Sequence, residues 1–274
     1  MSNITLGQFF PGNSILHKID PRMKILLSIA YIVIVFLAKG IVSYSVMILI
    51  SLIMILISHI PIRLLLKNLK PLILIIIVTI VINLFFYSGK HGEPLLSFWI
   101  FNIYLEGIIN AGYMVLRIIC MIIGTSVILT YTTSPIALTD GLEQMLAPLA
   151  KIKLPVHEFS MMMTIALRFV PTIVEETTKI TQAQKARGAN LSTGNIFQRA
   201  KAFIPILIPL FVSAFKRADE LATAMECRCY RGGNGRTKMN VLKFKWVDLF
   251  AFLTMTCIIV GIVLLNKFFP ILVV

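Results

Sequence analysis

The chain has 274 residues, of which 58% are hydrophobic and 14% charged, with a mean hydropathy of +0.89 and a formal net charge of +14. So few polar side chains cannot cover a water-soluble globule of this size, and no polar stretch is long enough for a soluble enzyme core or a large extramembrane module. The composition is that of an integral membrane protein, so the excess of cations bears on sidedness in the bilayer before it bears on nucleic acid.

The first ten residues, MSNITLGQFF, carry no basic start followed by an apolar run, so no segment is expected to be cleaved and insertion relies on internal spans. Measured against the roughly 20 residues that cross a bilayer, the apolar runs predict spans near 25–38, 41–58, 71–87, 107–131 and 246–266. The first is short and is expected to tilt or to join closely to the second. Cations gather at Lys18, Arg22 and Lys24, at Arg63, Lys67 and Lys70, at Lys151 and Lys153, and repeatedly between Lys179 and Lys245. A cytoplasmic N-terminus puts all of these inside and leaves Lys39, Lys90 and Lys267 outside, which satisfies the positive-inside rule. In the outer loop Tyr87, Phe98, Trp99, Phe101 and Tyr104 read as an interfacial aromatic belt. The expected fold is therefore all-α, with about five transmembrane helices and two long amphipathic helices on the cytoplasmic side. The expected divisions are 1–132, 133–245 and 246–274.

Those two long helices come from the segment 154–245, where helical patterns run over about 157–187 and 196–229. On the first, Arg168, Thr172, Glu175, Glu176 and Lys179 form a polar stripe on an otherwise apolar rod. Pro171 predicts a kink there, and Pro205 and Pro209 predict bends in the second rod. Gly188 is expected to end the first in the left-handed conformation. Asn195 and Gln198 read as an N-cap and capping box that open the second, and Gly232-Gly233 is expected to close it. A transmembrane hairpin of the two rods would put Lys179, Lys185, Arg187, Arg199 and Lys201 outside, against the charge bias elsewhere.

Each rod carries a short cationic motif at its end: Ala186-Arg187-Gly188 on the first, Cys227-Arg228-Cys229 on the second. An arginine at such a position can simply answer free helix carbonyls and the macrodipole. Two equivalent tips 41 positions apart favour a different reading, in which small neighbours allow close approach and each guanidinium reaches a carboxylate on another protein. No catalytic constellation is visible. The run Gly232-Gly233-Asn234-Gly235-Arg236-Thr237 fails as a phosphate-binding loop, because Tyr230 stands where its first glycine belongs and Arg236 where its lysine belongs. The histidines are scattered, no cysteine spacing fits a metal site or a disulfide framework, and a Cys-x-Cys metal site at 227 and 229 lacks further ligands nearby. Arg117, a full charge inside a span, is expected to be paired inward or to snorkel, with substrate binding as the alternative.

Several stretches together resemble one family: residues 11–22 (PGNSILHKIDPR), 132–135 (TTSP), 166–171 (ALRFVP), Glu175-Glu176, 183–188 (AQKARG), 217–222 (RADELA), 224–230 (AMECRCY) and 235–237 (GRT). They cover most of the chain and resemble the transmembrane (T) component of energy-coupling factor (ECF) transporters, the EcfT/CbiQ family of vitamin and metal-ion importers. The resemblance implies a non-catalytic, multi-pass subunit of a prokaryotic plasma membrane. It implies as partners two cytoplasmic ABC ATPases, identical or paralogous, which bind ATP-Mg, and a membrane-embedded substrate-binding S component. This chain is then expected to hold no cofactor or metal of its own and to bind no nucleic acid. It also implies that Ala186, Arg187 and Gly188, and Cys227, Arg228 and Cys229, dock into the two ATPases. Arg168, Pro171, Glu175, Glu176, Arg217, Asp219 and Glu220 would support the rods. Cysteines stand at 227 and 229 where the family has Ala and Gly, and the missing glycine argues against an identical turn at the second tip. A conventional ABC permease that itself lines the substrate path is the competing reading, and it would need one coupling loop rather than paired tips.

Overall fold

The computed structural model describes residues 9–86, 96–98, 101–148, 155–189, 195–232 and 242–268. Two compact units emerge, one built from residues 7–141 and 242–274 and the other from 142–241.

In the first unit a single turn, α1 (Ile15–Lys18), precedes Asp20, which starts the helix α2 (Pro21–Leu37) by accepting the Arg22 backbone N–H at 2.9 Å, with Pro21 at the first helical position, where its missing N–H is harmless. The helix thus begins four residues before the predicted span. Then follow α3 (Gly40–Ser58) and α4 (Ile62–Leu69), a single 3₁₀ turn at Pro71, and α5 (Ile73–Phe86), so the predicted span near 71–87 is the apolar half of a longer run. A short antiparallel hairpin, Leu96–Phe98 with Phe101–Ile103, pairs Phe98 with Phe101 within an otherwise helical, all-α fold. It falls where part of the aromatic belt was expected; Tyr87 and Trp99 lie outside the described residues. Helix α6 (Leu105–Thr125) runs on through a wider π turn to Tyr131, and α10 (Trp246–Phe268) returns at the end of the chain.

Tyr31, Ile34, Val35, Tyr44, Met47 and Ile262 form the centre of this unit. Gly124 of α6 lies so close to Tyr31 that a Cβ there would sit 2.1 Å from the ring. Glycine is what lets α6 and α2 touch, in keeping with small residues at membrane helix contacts. The Tyr31 hydroxyl donates to the Cys120 carbonyl at 3.0 Å and pairs with Ser51 at 2.8 Å, so this polar atom is satisfied in the apolar interior. Arg117 is held by aromatic groups: its Nε donates to Tyr44 Oη at 3.0 Å, and its guanidinium lies over the rings of Phe36 and Tyr44. Among the described residues no carboxylate pairs with it. The outward faces, including Val33, Leu74, Ile77, Phe250 and Leu253, are exposed and apolar, as a lipid environment requires.

Bonds at the two ends of the unit order its helices. Phe10 N–H to the Tyr131 carbonyl, Lys24 Nζ to the Thr132 carbonyl and Asp20 N–H to Asp248 bring the starts of α2 and α10 and the end of α6 together. At the other end Asn266 donates to the Leu37 carbonyl at 2.7 Å and accepts from Ser43 at 2.7 Å. The end of α6, after which the chain goes on to leave this unit, and the start of α10, by which it has re-entered, therefore lie at the same end.

The second unit holds α8 (Val156–Ala186) and α9 (Ile196–Cys227), packed on each other. Both are continuous through their internal prolines. Gln198 Oε1 accepts the Asn195 N–H at 3.3 Å, the predicted capping-box contact. Helix α7 (Pro135–Leu146), which the sequence reading missed, precedes them; Ser134 Oγ accepts the Ala137 N–H and Pro135 follows it, a start signal legible in Thr-Thr-Ser-Pro. Five helical stretches among the described residues are long and apolar enough to cross a membrane: Gly40–Ser58, Ile62–Phe85, Leu105–Tyr131, Phe197–Cys227 and Trp246–Phe268. The set includes α9, which the charge bias of the sequence places outside the bilayer, and omits the 17-residue α2. The charge-free part of α9 covers only 202–215, ~21 Å at 1.5 Å per residue, against roughly 30 Å of hydrocarbon.

Candidate functional site: two arginine tips and their supports

Helix α8 ends at Ala186, with Arg187 as its C-cap and Gly188 at φ +88°. Ala189 N–H reaches back to the Gln184 carbonyl at 2.9 Å and Gly188 N–H to the Lys185 carbonyl at 3.0 Å. These two bonds make a complete Schellman turn, and the left-handed position is where glycine is favoured. The predicted stop at Gly188 is therefore observed.

The second tip corrects two expectations. Helix α9 ends at Cys227, well before Gly232-Gly233, and Arg228 is its C-cap. Cys229 takes φ +56°, Cys229 N–H bonds the Glu226 carbonyl at 2.8 Å, and Tyr230 N–H bonds the Met225 carbonyl at 3.1 Å. This is the same turn as at Gly188, so losing glycine at 229 has not changed the backbone. It leaves a side chain in the left-handed region, where an L-residue is strained. Gly232 is also left-handed but follows the helix, and Gly233 lies outside the described residues.

Both tips are exposed along their whole motifs, at Ala186, Arg187 and Gly188 and at Cys227, Arg228 and Cys229. The turn N–H groups already bond the carbonyls of Gln184 and Lys185 and of Met225 and Glu226, so neither arginine side chain is needed for these four. The cysteines are free thiols, and no metal-binding group of three or more His, Cys, Asp or Glu occurs among the described residues.

Of the residues expected to support the rods, the structure brings two together. Glu176 of α8 accepts from Arg217 of α9, Nη2 to Oε2 at 3.1 Å, and its Oε1 accepts from the Ser213 hydroxyl. Arg217 Nε in turn reaches Ser213 Oγ at 3.5 Å. Arg168, Glu175, Asp219 and Glu220 are exposed instead, and Pro171 lies within α8. A second carboxylate, Glu143, was missed with its helix. It meets His157 Nδ1 at 3.0 Å and accepts from Ser160 Oγ at 2.8 Å, which fixes the start of α8.

The stretches at 11–22 and 132–135 have a different use. Asp248 accepts the Asp20 N–H and the Lys245 N–H, each at 2.7 Å, and is 2% exposed. Lys24, also buried, donates to the Thr132 carbonyl at 2.8 Å. Arg22 donates to the Leu242 carbonyl at 3.2 Å and lies over the Phe244 ring. Together they knot the two points where the chain leaves and re-enters the membrane unit. Sequence reading could not find Asp248, because its partner lies 228 positions away.

A family model described as cobalt transport protein, CbiQ, matches residues 12–239. The energy-coupling factor transporter transmembrane protein EcfT of Clostridium kluyveri is 51% identical over 251 residues, 92% of either chain. Those of Lactococcus lactis and Bacillus subtilis are 46% and 41% identical, over 97% of this chain and 98% and 96% of theirs. The chain belongs to the EcfT/CbiQ family. It is thus a multi-pass membrane component of a transporter and not an enzyme. The matched region contains both arginine tips and the Asp20 end of the knot, whereas Asp248 lies beyond the family match.

Proposed function

We propose that this EcfT-family chain is the coupling subunit of an ECF-type importer. In this reading Arg187 and Arg228 dock into two cytoplasmic ATPase subunits, and closure of those subunits around ATP-Mg moves the tips. The movement is passed to a separate S component that carries a vitamin or another micronutrient. The observation that carries the reading is the pair of matched turns. Two helices of the same unit end in the same backbone geometry and present an exposed arginine at the same position, on a turn whose own N–H groups bond the carbonyls of Gln184 and Lys185 or of Met225 and Glu226. A guanidinium on a small-residue turn suits a carboxylate-lined groove, since it offers paired donors and the backbone can approach closely. Coupling needs different tip contacts in the open and closed ATPase states.

The tips must then face the cytoplasm. The chain leaves and re-enters the membrane unit at one end, so 142–241 crosses the bilayer either not at all or an even number of times. The short charge-free run of α9 and the cations of the rods favour no crossing, with the N-terminus inside. Single cysteines at Ser192 and Asn234, both outside the described residues, report on this in a cysteine-free background. They are expected to be protected from an impermeant thiol reagent in intact cells and labelled after lysis; labelling of Ser192 from outside would make the rods a transmembrane hairpin. Detergent extraction of the tagged chain is expected to recover two ATPase subunits and a small, very apolar membrane protein. A transporting homo-oligomer free of ATPases would overturn the coupling reading.

A further inference from the structure

The offset of 41 positions that relates Arg187 to Arg228 also relates Glu176 to Arg217 (217 − 176 = 41), the pair that bridges the rods. A contact between equivalent positions marks the point about which the two rods are related. From that point each tip is 11 positions away (187 − 176 and 228 − 217), so the two arms are of equal length, ~16 Å at 1.5 Å per residue. The same offset carries a charge relation. Glu175, Glu176, Lys179 and Lys185 on α8 correspond to Lys216, Arg217, Glu220 and Glu226 on α9, with the sign inverted at all four. Only the tips keep their sign. The rods are thus equivalent in spacing and complementary in charge, which favours α8 against α9 and disfavours either rod against a second copy of itself.

The contact geometry makes the bridge specific. One carboxylate receives two donors that stand one turn apart on α9, Ser213 on Oε1 and Arg217 on Oε2, and these donors also meet each other. Sliding α9 by one residue would move them ~1.5 Å and rotate them by about 100°, and both bonds would be lost. The Arg217 and Glu176 side chains are 37% and 24% exposed. Water screens such a pair, so its effect on overall stability is small; what it supplies is register.

We propose that Glu176, Ser213 and Arg217 form a pivot that fixes where α8 and α9 cross, and thereby sets the separation of Arg187 and Arg228. They are positioning residues, acting on the ATPases only through the tips. The consequence for ATPase binding rests on the docking reading above; the pivot does not.

The test is a distance measurement on the full-length chain in detergent. Ala183→Cys and Ala224→Cys are introduced together, one turn before each tip and related by the same offset, in a background lacking Cys120, Cys227, Cys229 and Cys257. Spin labels there report the tip separation by double electron–electron resonance. The parent is expected to give one narrow distance peak. Glu176→Arg, which sets two cations against each other, and Arg217→Glu are each expected to broaden it at least twofold or shift it by several ångströms. The exchange Glu176→Arg with Arg217→Glu is expected to restore the parental peak, which rules out a mere folding defect in the single variants. An unchanged peak in both single variants, or an exchange no narrower than they are, would overturn the pivot. ATPase recovery from the same preparations separates the two ideas: altered tip distances with undiminished recovery would leave the pivot standing and overturn the docking reading.

Discussion

The knot around Asp248 and the two arginine tips are built from equally distinctive sequence, but one is buried and the other exposed. At the knot Asp20, Lys24 and Asp248 are all below 7% exposed and spend their polar atoms on backbone groups at the chain's exit and re-entry points. At the tips every motif residue is open to solvent and the turn satisfies its own backbone. The contrast teaches that motif strength does not separate a buried scaffold from an exposed surface; the fate of the polar atoms does. Polar groups used up inside hold the molecule together, and charged groups left over on a finished turn are available to something else.

Breaking the knot is expected to give the largest effect. Asp248→Ala strips the buried Asp20 N–H and the part-buried Lys245 N–H of their acceptor and leaves Lys24 with Asp20 as its remaining carboxylate neighbour. Removing one member of such a buried set costs about 3–5 kcal/mol. The fraction of monodisperse protein surviving a heating series in detergent is expected to fall steeply, and less so for Asp248→Asn, which keeps one acceptor oxygen. If Asp248→Ala survives heating like the parent, the knot does not hold the unit together.

Charge reversal at the tips sharpens the other side of the comparison, because it should spare the fold and strike assembly. If Arg187 and Arg228 enter acidic grooves, Arg187→Glu and Arg228→Glu each forfeit a desolvated pair, about 3–5 kcal/mol, against about 0–1 kcal/mol for a surface cation. Each single variant should retain ATPases through the remaining tip, in a complex that is more salt-sensitive than the parent, and the double variant should recover none. Arg231→Glu and Arg236→Glu, outside the motifs, report generic electrostatics; Arg236 lies outside the described residues. Equal losses for all four would replace two plugs with a diffuse basic surface.

What the sequence disclosed follows the range of its signals. Apolar run length found α3, α5, α6 and α10 to within a few residues, and glycine chemistry found the end of α8. Helix α2 begins four residues before the span near 25–38, because Lys24 belongs to the helix and is buried against the Thr132 carbonyl. Helix α7 was missed although Ser134-Pro135 announces it. Spacing within one helix drew the stripe containing Glu176, but nothing local to either rod names Arg217 as its partner. The turn at Cys229 ran against residue preference: the helix end and its bonds to Glu226 and Met225 impose a conformation that cysteine alone disfavours.

That last point yields the smallest predicted effect and the finest comparison, tip against tip. Gly188 and Cys229 occupy the same left-handed position, one without a Cβ and one with it. Gly188→Ala should therefore destabilise its turn by about 1 kcal/mol, and Cys229→Gly should relax its own by a similar amount, a factor of about five in local opening. A Cβ at Gly188 meets nothing within 4 Å, so any penalty there comes from the backbone and not from a clash. Amide exchange reads each turn through the N–H that closes it, Ala189 for the first and Tyr230 for the second. Protection of Ala189 should fall in Gly188→Ala while that of Tyr230 rises in Cys229→Gly, each without change at the other tip. If Tyr230 exchanges at the same rate with glycine or cysteine at 229, the second turn stores no strain, and the two tips are equivalent in energy as well as in shape.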